Sequence, residues 1–393
     1  MRICFDARMM GPRNTRGIGR YAEEIIRAML DLKSGHRFVL LERDPPASPF
    51  KDHPDIEHVG ANIPWYTLKE QLTMPKLIAS SSADLLHVPH WNVSIFSNSQ
   101  SPIPNPRVVT IHDLILLEEP ASANVTTRGP IVAGIKRIAY RIVLRNALFR
   151  SREILVPTEH VKERIAFHFK DLKTPITVTG EGMPEVVESA WQEPDLEHPY
   201  FMTVGSAYPH KNLERVLEAW KAVSEKHPGV RLLIVGKKDQ FMERLMETAK
   251  GLELRAKSPS GPQPSALNSK QPITFLGDVS DEELRTLYAR AHALIFPSRW
   301  EGFGLPPLEA LAAGCPVISS DASCMPEVLG REGILYFNPA SADGIVRSVE
   351  TVLRNPGGVR REARRIIPAL RKRHDWKAAA ARTLEAYERA VKR

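Results

Sequence analysis

Two glutamates stand close together in a glycine- and proline-rich part of the chain. Glu301 begins the run Glu-Gly-Phe-Gly-Leu-Pro-Pro, and Glu309 follows in an apolar segment that is predicted to be a helix. Prolines are favoured in the first turn of a helix. Glycines let backbone amides approach a ligand closely, and the helix N-terminus carries partial positive charge. The pattern indicates a polar or anionic ligand, although a plain turn followed by a solvated Glu309 explains it equally well.

A lysine lies at the start of a second predicted helix. Residues 204–212 read Val-Gly-Ser-Ala-Tyr-Pro-His-Lys-Asn and follow a predicted strand. A cation at a helix N-terminus is unfavourable for the helix dipole, so Lys211 is better explained by an anionic ligand such as a diphosphate.

His112 ends a predicted strand in the run Thr-Ile-His-Asp. A lone histidine is most often a hydrogen-bonded core residue. A strand end that faces a ligand cleft favours a functional role instead.

Gly17 and Gly19 lie in the run Gly-Ile-Gly-Arg-Tyr-Ala, and Glu42 closes the next predicted strand. This spacing matches the dinucleotide-binding fingerprint. That fingerprint leaves its strand almost at once, whereas residues 8–16 intervene here as a loop. We therefore interpret the glycines as a flexible loop that brings backbone N–H groups to a phosphate at a helix N-terminus.

The elements that must position these residues alternate between short apolar runs and segments with helical spacing, as in a parallel sheet covered on both faces. This alternation of strand-like and helix-like segments is interrupted at residues 180–198, which predicts an interdomain hinge. We expect an α/β protein with two doubly wound domains facing across a cleft, 1–185 and 199–372, and a C-terminal helix within 373–393. Ligands of such sheets bind beyond the carboxyl ends of the strands. The predicted strands cover 2–7, 37–42, 85–88, 108–111, 153–156, 176–179, 200–204, 231–235, 273–276, 293–296 and 316–319.

Composition limits the class of protein. The chain has 393 residues, 42% of them hydrophobic and 25% charged, which is typical of a globular protein and excludes wholesale disorder. No apolar run reaches the length of a transmembrane helix, and the N-terminus lacks the layout of a signal peptide. The three cysteines lack zinc-type spacing, so we expect a reduced cytosolic protein. The net charge of +8 is spread over both halves and indicates no nucleic-acid platform.

Several motifs in register resemble one enzyme family. Residues 291–328, with Glu301 and Glu309 in E-x7-E spacing followed by Ala-Ala-Gly-Cys-Pro-Val, look like the donor-site signature of retaining GT-B glycosyltransferases of family 4. The other motifs fall in the family's order: Asp-Ala-Arg at 6–8, Gly-Ile-Gly-Arg-Tyr at 17–21, His112-Asp113, Lys211-Asn212, and a last helix at 376–387. The resemblance implies a GT-B fold with an acceptor-side first domain, a nucleotide-sugar-binding second domain, and a C-terminal helix that crosses back onto the first.

The resemblance also implies a role for each matching residue. Glu309 would hold the ribose of the nucleotide, and Glu301 would contact hydroxyls of the transferred sugar. Lys211 would neutralise the diphosphate leaving group, and His112 would orient the donor sugar, so His112, Glu301 and Lys211 are the expected catalytic residues. The further donor-binding residues are expected to be Gly17, Gly19, Ser206, Arg299, Gly302, Phe303, Gly304 and Leu305.

One position departs from the family pattern. Many members carry an arginine beside the lysine, where this chain has Ser206. Arg299, Arg20 or His210 could supply the second cation. The resemblance further implies retention of anomeric configuration without a covalent enzyme nucleophile.

No metal or other cofactor is expected. The sequence has no Asp-x-Asp pair and no phosphate-binding loop of the ATP-hydrolysing type. His87-x-x-His90 contains suitable ligand types, but no third ligand has convincing spacing. We interpret this pair as loop or acceptor-side structure.

The motifs are most similar to those of bacterial mannosyltransferase-like members. The implied reaction moves a hexose, with GDP-mannose as the leading donor, onto a glycan or lipid-linked acceptor in lipopolysaccharide or other surface polysaccharide synthesis. UDP-glucose, UDP-N-acetylglucosamine or dTDP-rhamnose fits the same motifs. A catalytically silent sugar-nucleotide-binding scaffold is a further alternative, but it predicts loss of His112, Glu301 or Glu309, and all three are present.

The predicted helix at 131–149 contains no acidic residue, and none occurs between Glu119 and Glu153. Such a helix could lie on an anionic membrane surface, or it could pack within the domain with a solvated basic edge. Both interpretations stay open. The expected localisation is cytoplasmic, with peripheral attachment to the inner face of the cytoplasmic membrane if the first holds.

Overall fold

A computed structural model describes residues 1–11, 17–95, 106–119, 130–252, 254, 256–257 and 271–393. The chain forms two compact units. The first unit consists of Met1–Leu114, Ala123–Gly182 and His374–Arg393, and the second of Ile115–Ser122 and Met183–Arg373. Each unit contains one parallel sheet with helices, which confirms the predicted fold class of two Rossmann-like units.

The first sheet has the strand order β3-β2-β1-β4-β5-β6-β7. Its strands are β1 Arg2–Asp6, β2 Arg37–Glu42, β3 Ile56–Gly60, β4 Leu85–Val88, β5 Arg107–Thr110, β6 Glu153–Val156 and β7 Ile176–Val178. The helices up to this point are α1 Ile18–Asp31, α2 Leu68–Ser80, α3 Ile115–Glu118, α4 Pro130–Phe149 and α5 Glu159–His168, of which α3 belongs to the second unit.

The second sheet has the order β10-β11-β9-β8-β12-β13-β14. Its strands are β8 Tyr200–Val204, β9 Arg231–Val235, β10 Ala256–Lys257, β11 Ile273–Gly277, β12 Ala293–Phe296, β13 Val317–Ser320 and β14 Leu335–Phe337. The remaining helices are α6 Leu213–Lys226, α7 Gln240–Gly251, α8 Asp281–Arg290, α9 Leu305–Ala312, α10 Met325–Leu329, α11 Ala342–Arg354, α12 Pro356–Arg365, α13 Ile367–Arg373 and α14 Trp376–Lys392.

The central strands were predictable because they are continuous apolar runs, as expected where helices cover both faces of a parallel sheet. The sequence prediction missed the edge strands β3, β10 and β14. β3 reads Ile-Glu-His-Val-Gly and is only partly buried, so its polar residues hide the strand pattern. β10 and β14 contain only two and three residues.

Strand order reverses beside the first strand of each sheet. β1 pairs with β2 on one side and β4 on the other, and β8 pairs with β9 and β12. The connections from these neighbouring strands therefore diverge at their carboxyl ends and leave a crevice there, which is where ligands bind in doubly wound sheets.

Helix α14 belongs to the first unit, although it is the last element of the chain. The Tyr387 hydroxyl lies 2.5 Å from His87 Nδ1, and His87 Nε2 lies 2.8 Å from the Thr110 hydroxyl. Arg382 Nε donates to the carbonyl of Thr179 at 2.9 Å. These hydrogen bonds thus connect α14 to β4, β5 and the end of β7.

We predict that His292 makes the protein sensitive to acid. Its pKa is lowered from 6.5 to about 4, mainly by burial and further by the charge of Arg360. Between pH 6.5 and about 4, His292 is therefore protonated in the unfolded chain but not in the native state. The free energy of unfolding thus falls as pH drops through this range, by roughly 3 kcal/mol in all. In His292→Phe, urea unfolding between pH 6.5 and 4 should show a shallower dependence on pH. An unchanged slope would contradict the assignment.

Candidate functional site

Lys211 and Glu301 meet at the crevice of the second sheet. Lys211 ends the short 3-10 turn Pro209–Lys211 after β8, and Glu301 lies in the loop after β12. Their Nζ and Oε1 atoms are 2.6 Å apart, and the side chains expose only 19% and 9% of their surface. The structure thus joins two residues that are distant in sequence into one shielded ion pair.

Backbone and amide contacts hold the two loops together. Asn212 has a left-handed backbone with φ 58°, and its Nδ2 donates to the carbonyls of Pro297 at 3.1 Å and Pro339 at 2.9 Å. The backbone N–H of Arg299 donates to the carbonyl of His210 at 2.8 Å. The relative position of Lys211 and Glu301 is therefore fixed by groups on either side of the pair.

The loop after β13 fixes the backbone of Glu301. Its N–H donates to Ser323 Oγ at 3.1 Å, and the Ser323 hydroxyl donates back to the carbonyl of Glu301 at 2.7 Å. Ser323 itself has φ 56°, a left-handed conformation that is uncommon for a residue other than glycine. These two hydrogen bonds thus fix the backbone from which the Glu301 carboxylate projects.

Helix α9 begins next to this loop. Gly304 has φ 86° and stands at its N-cap, where an added Cβ would lie 2.5 Å from Met325 Cε. Leu305 is the first helical residue, Phe303 is buried, and Glu309 is half-buried in the second turn. The positive φ favours glycine at this position, whereas the contact with the flexible end of Met325 could be relieved by a shift of that side chain.

The loop after β8 approaches the loop after β9 so closely that Gly236 has no room for a side chain. Gly205 has φ 133°, and a Cβ on Gly236 would lie 2.0 Å from the carbonyl oxygen of Gly205. Ser206, the residue in place of the family's arginine, follows directly and is half-buried.

Arg299 and His210, two of the residues expected to replace the family's arginine, differ in charge. Arg299 donates from Nη2 to Glu119 Oε1 at 2.7 Å and to the carbonyl of Pro209 at 2.9 Å, so a carboxylate already neutralises it. Burial, reinforced by the charge of Lys211, lowers the pKa of His210 to about 4. His210 is therefore neutral near neutral pH in this structure, which disfavours it as the second cation.

His112 lies in the first unit, at the end of β5. Its Nδ1 is 3.1 Å from Glu181 Oε1, and its Nε2 is 3.2 Å from the carbonyl oxygen of Pro89. Both partners are hydrogen-bond acceptors, and which ring nitrogen donates depends on the tautomer. The ring also meets the ring of Tyr21 edge-on at 4.6 Å. Sequence reasoning missed Glu181, because it lies in the stretch interpreted as a hinge.

Gly17 and Gly19 also belong to the first unit. Gly17 is the N-cap of α1 with φ 56°, and Gly19 is buried in the first turn. The loop predicted to precede them lies partly outside the described residues, at 12–16.

The described residues contain no group of three or more histidine, cysteine or acidic side chains arranged for a metal ion. His87 and His90 make separate contacts: His87 faces Tyr387 and Thr110, and His90 accepts from the N–H of Asn92 at 3.1 Å. Within the described part of the chain, no helix has the length and apolarity to cross a membrane.

The sequence matches the family described as Glycosyltransferase Family 4 over residues 15–183 and the family described as Glycosyl transferases group 1 over residues 188–373. It is 28% identical to O-antigen chain mannosyltransferase RfbU of Salmonella typhimurium, across 76% of this chain and 72% of that protein. It is 29% identical to O-antigen chain mannosyltransferase B of Escherichia coli, across 51% of this chain and 46% of that protein. Sucrose-phosphate synthase from Thermosynechococcus elongatus has a similar structure, with a TM-score of 0.71, 18% identity and 98% of each chain covered.

We predict that Gly236→Ala disturbs the loop that carries Ser206. The new Cβ collides with backbone rather than with a flexible side chain, so the loop must move. Overpacking of this kind costs about 1–3 kcal/mol, which urea unfolding would detect. Gly229→Ala is the matched control, since nothing lies within 4 Å of its Cβ position. Equal stability of the two variants would show that the close approach is not required.

Proposed function

The chain belongs to the family 4 glycosyltransferases with the GT-B fold, and on this premise we propose that it transfers mannose from GDP-mannose to a glycan or lipid-linked acceptor of a bacterial surface polysaccharide. We further propose that the reaction retains anomeric configuration and uses no metal.

The observation that carries this proposal is the Lys211–Glu301 ion pair at the crevice of the second sheet. An ammonium group in a shielded site stabilises the charge that develops on a departing diphosphate far better than it could in water. The neighbouring N-terminus of α9 adds partial positive charge on the same side. A nucleotide-sugar donor has the matching chemistry, with two phosphates next to a polyhydroxylated ring.

The same pair argues against Glu301 as a covalent nucleophile. Its carboxylate is neutralised by Lys211 at 2.6 Å, and its backbone is held from both sides by Ser323. A fixed, charge-paired carboxylate is suited to binding sugar hydroxyls. The acceptor hydroxyl is then the group that attacks, from the face on which the diphosphate leaves.

Mannose is proposed because two of the related proteins are named O-antigen chain mannosyltransferases. Their names also suggest the acceptor class, a growing surface glycan. The base and sugar of the donor are the parts of the proposal that a binding experiment decides most directly.

We propose a cytoplasmic location with peripheral attachment to the inner face of the membrane. Helix α4 exposes Ile135, Ile138 and Ile142 by 62%, 62% and 54%, at a spacing that places them along one side of the helix. Lys136, Arg137 and Arg141 on the same helix are also exposed. The exposed isoleucines support the membrane-surface interpretation over a packed helix of which only a basic edge is solvated.

Donor identity is tested by thermal stabilisation with GDP-mannose, UDP-glucose, UDP-N-acetylglucosamine, dTDP-rhamnose and their free nucleotides. A ligand at 100 times its dissociation constant should add about 2.7 kcal/mol of stability. We expect a selective response to GDP and GDP-mannose. A selective response to UDP or dTDP species would exclude mannose from GDP-mannose, and no response to any of them would contradict the donor site.

Glu309 in the second unit should act on donor binding, whereas His112 in the first unit should act on turnover. Glu309→Ala removes the proposed ribose contact and should weaken GDP-mannose binding at least tenfold, a loss of about 1.4 kcal/mol. His112→Ala should leave donor affinity largely unchanged and lower kcat. Calorimetry and initial rates separate the two effects, and wild-type affinity with full activity in both variants would overturn the assignment.

Membrane attachment should depend on the basic side of α4. Each lysine or arginine near an anionic surface contributes about 1 kcal/mol, so replacing Lys136, Arg137 and Arg141 by glutamine should reduce binding to phosphatidylglycerol vesicles about a hundredfold. Replacing Lys221, Arg244 and Arg361 instead removes the same charge from exposed positions of the second unit. Equal loss in both triple variants would indicate a nonspecific charge effect.

A further inference from the structure

The imidazole ring of His112 is held by a carboxylate and by an aromatic ring. Glu181 Oε1 lies 3.1 Å from the ring Nδ1, and the ring of Tyr21 meets the imidazole edge-on with centroids 4.6 Å apart. The side chains of His112 and Glu181 expose only 13% and 4% of their surface, so water competes little for this contact. Tyr21 is itself buried, and its hydroxyl lies 3.2 Å from that of Thr110. The aromatic neighbour of His112 is therefore fixed in place.

Trp376, the first residue of α14, connects these two neighbours. Its indole ring lies 6.1 Å from the ring of Tyr21, measured between centroids, at an angle of 54°. It also packs on the backbone next to Glu181, since a Cβ on Gly182 would overlap the indole carbons Cγ and Cδ1. Glycine is therefore needed at position 182 for this close approach. One side chain of the last helix thus supports both Tyr21 and the segment that carries Glu181.

The backbone before Glu181 is held by the same helix. Arg382 Nε, also on α14, donates to the carbonyl of Thr179 at 2.9 Å, and the N–H of Thr179 donates to the carbonyl of Val156 at 2.9 Å. Gly180 then turns the chain with φ 74°, a left-handed conformation that favours glycine. The chain is thus fixed on both sides of Glu181, which leaves its carboxylate little freedom to move away from His112.

Packing alone does not explain a carboxylate at this position. In the described part of the chain, His112 is the one hydrogen-bond partner of the Glu181 side chain. Burial of a carboxylate is costly unless it is paired, and an apolar residue would fill the same space without that cost. The pair is not needed to dock α14 either, because the Tyr387–His87 contact and the buried alanines of this helix already fasten it to the first unit. A need to orient the ring of His112 explains the pair better.

We propose that Glu181 and Trp376 are positioning residues for His112. The carboxylate fixes the ring through Nδ1, and the indole holds both Tyr21 and the Glu181 segment against it. The last helix of the chain thereby takes part in the site of the first unit. The effect of this arrangement on turnover rests on the proposed function, in which His112 acts on kcat. The fixed orientation of the ring does not, and can be measured separately.

The first measurement records the ring nitrogens of His112 by NMR, in the full chain with isotope-labelled histidine. The signals of His112 are those that are absent from His112→Ala. Glu181→Gln keeps the size of the side chain and removes its charge, so it should shift the Nδ1 signal, because a neutral amide makes a weaker hydrogen bond than a carboxylate. Trp376→Leu should shift or broaden the same signals, since Tyr21 and the Glu181 segment lose their support.

Glu42→Gln is the matched control for the loss of a buried carboxylate. Glu42 belongs to the same unit, is buried, and has its Oε2 2.6 Å from Nδ1 of another histidine, His58. This variant should leave the signals of His112 and the kcat of the enzyme as in the wild type. Equal effects of Glu42→Gln and Glu181→Gln would indicate a general cost of losing such a pair and would overturn the proposal.

Turnover of GDP-mannose is measured on the same variants. Glu181→Gln should lower kcat by about ten- to a hundredfold, the cost of a misplaced catalytic group, and leave the KM for GDP-mannose within about twofold. This loss should vanish in the His112→Ala background, because a residue that acts only through His112 then has nothing to position. Glu181→Asp keeps the charge and should recover part of the rate.

Unchanged ring signals in Glu181→Gln would overturn the proposal, and so would additive losses of kcat in the double variant with His112→Ala. Glu181→Gln preserves the volume of the side chain, so it tests the proposal even if Trp376→Leu does not fold. A signal of His112 that depends on Glu181, in a protein that does not turn over GDP-mannose, rejects the proposed function alone.

Discussion

The parallel arrangement of the strands is the constraint on which both crevices depend. All strands of a parallel sheet end at the same edge, and neighbouring connections must diverge where the strand order reverses. In the second sheet this brings the loops after β8 and β12 side by side, and in the first sheet the loops after β1 and β4. Ion pairs between residues far apart in sequence, such as Lys211–Glu301, are a direct consequence of this arrangement.

The two crevices differ in formal charge. In the second unit, a lysine is paired with a carboxylate beside a helix N-terminus, and Arg299 lies close by in its own ion pair with Glu119. In the first unit, two carboxylates share one guanidinium, Arg8, and aromatic rings lie next to them. The two ion pairs of the second crevice are each formally neutral, whereas the cluster of the first keeps one formal negative charge.

Buried neutral histidines recur at positions that tie these elements together. His87 joins the last helix to the first sheet through Tyr387, and the carbonyl of His210 accepts from the N–H of Arg299 in the second crevice. Burial keeps the pKa values of both well below 6.5, so neither ring adds positive charge near neutral pH. With His210 neutral, Lys211 is the one positive charge that residues 208–212 bring to the second crevice.

The amino-acid sequence by itself determined the α/β class, the central strands, the loops that carry Glu301, Lys211 and His112, and the helix that carries Glu309. Apolar periodicity and glycine or proline spacing are local signals. The sequence did not reveal the edge strand β3, whose polar residues mask its pattern, nor the neutral state of His210, which depends on burial. Only the tertiary structure decided which side chains meet. Glu181 reaches His112 across 69 residues, and Glu70 reaches Arg8 across 62. Such contacts depend on where the chain returns in space, and no spacing along the sequence encodes that distance.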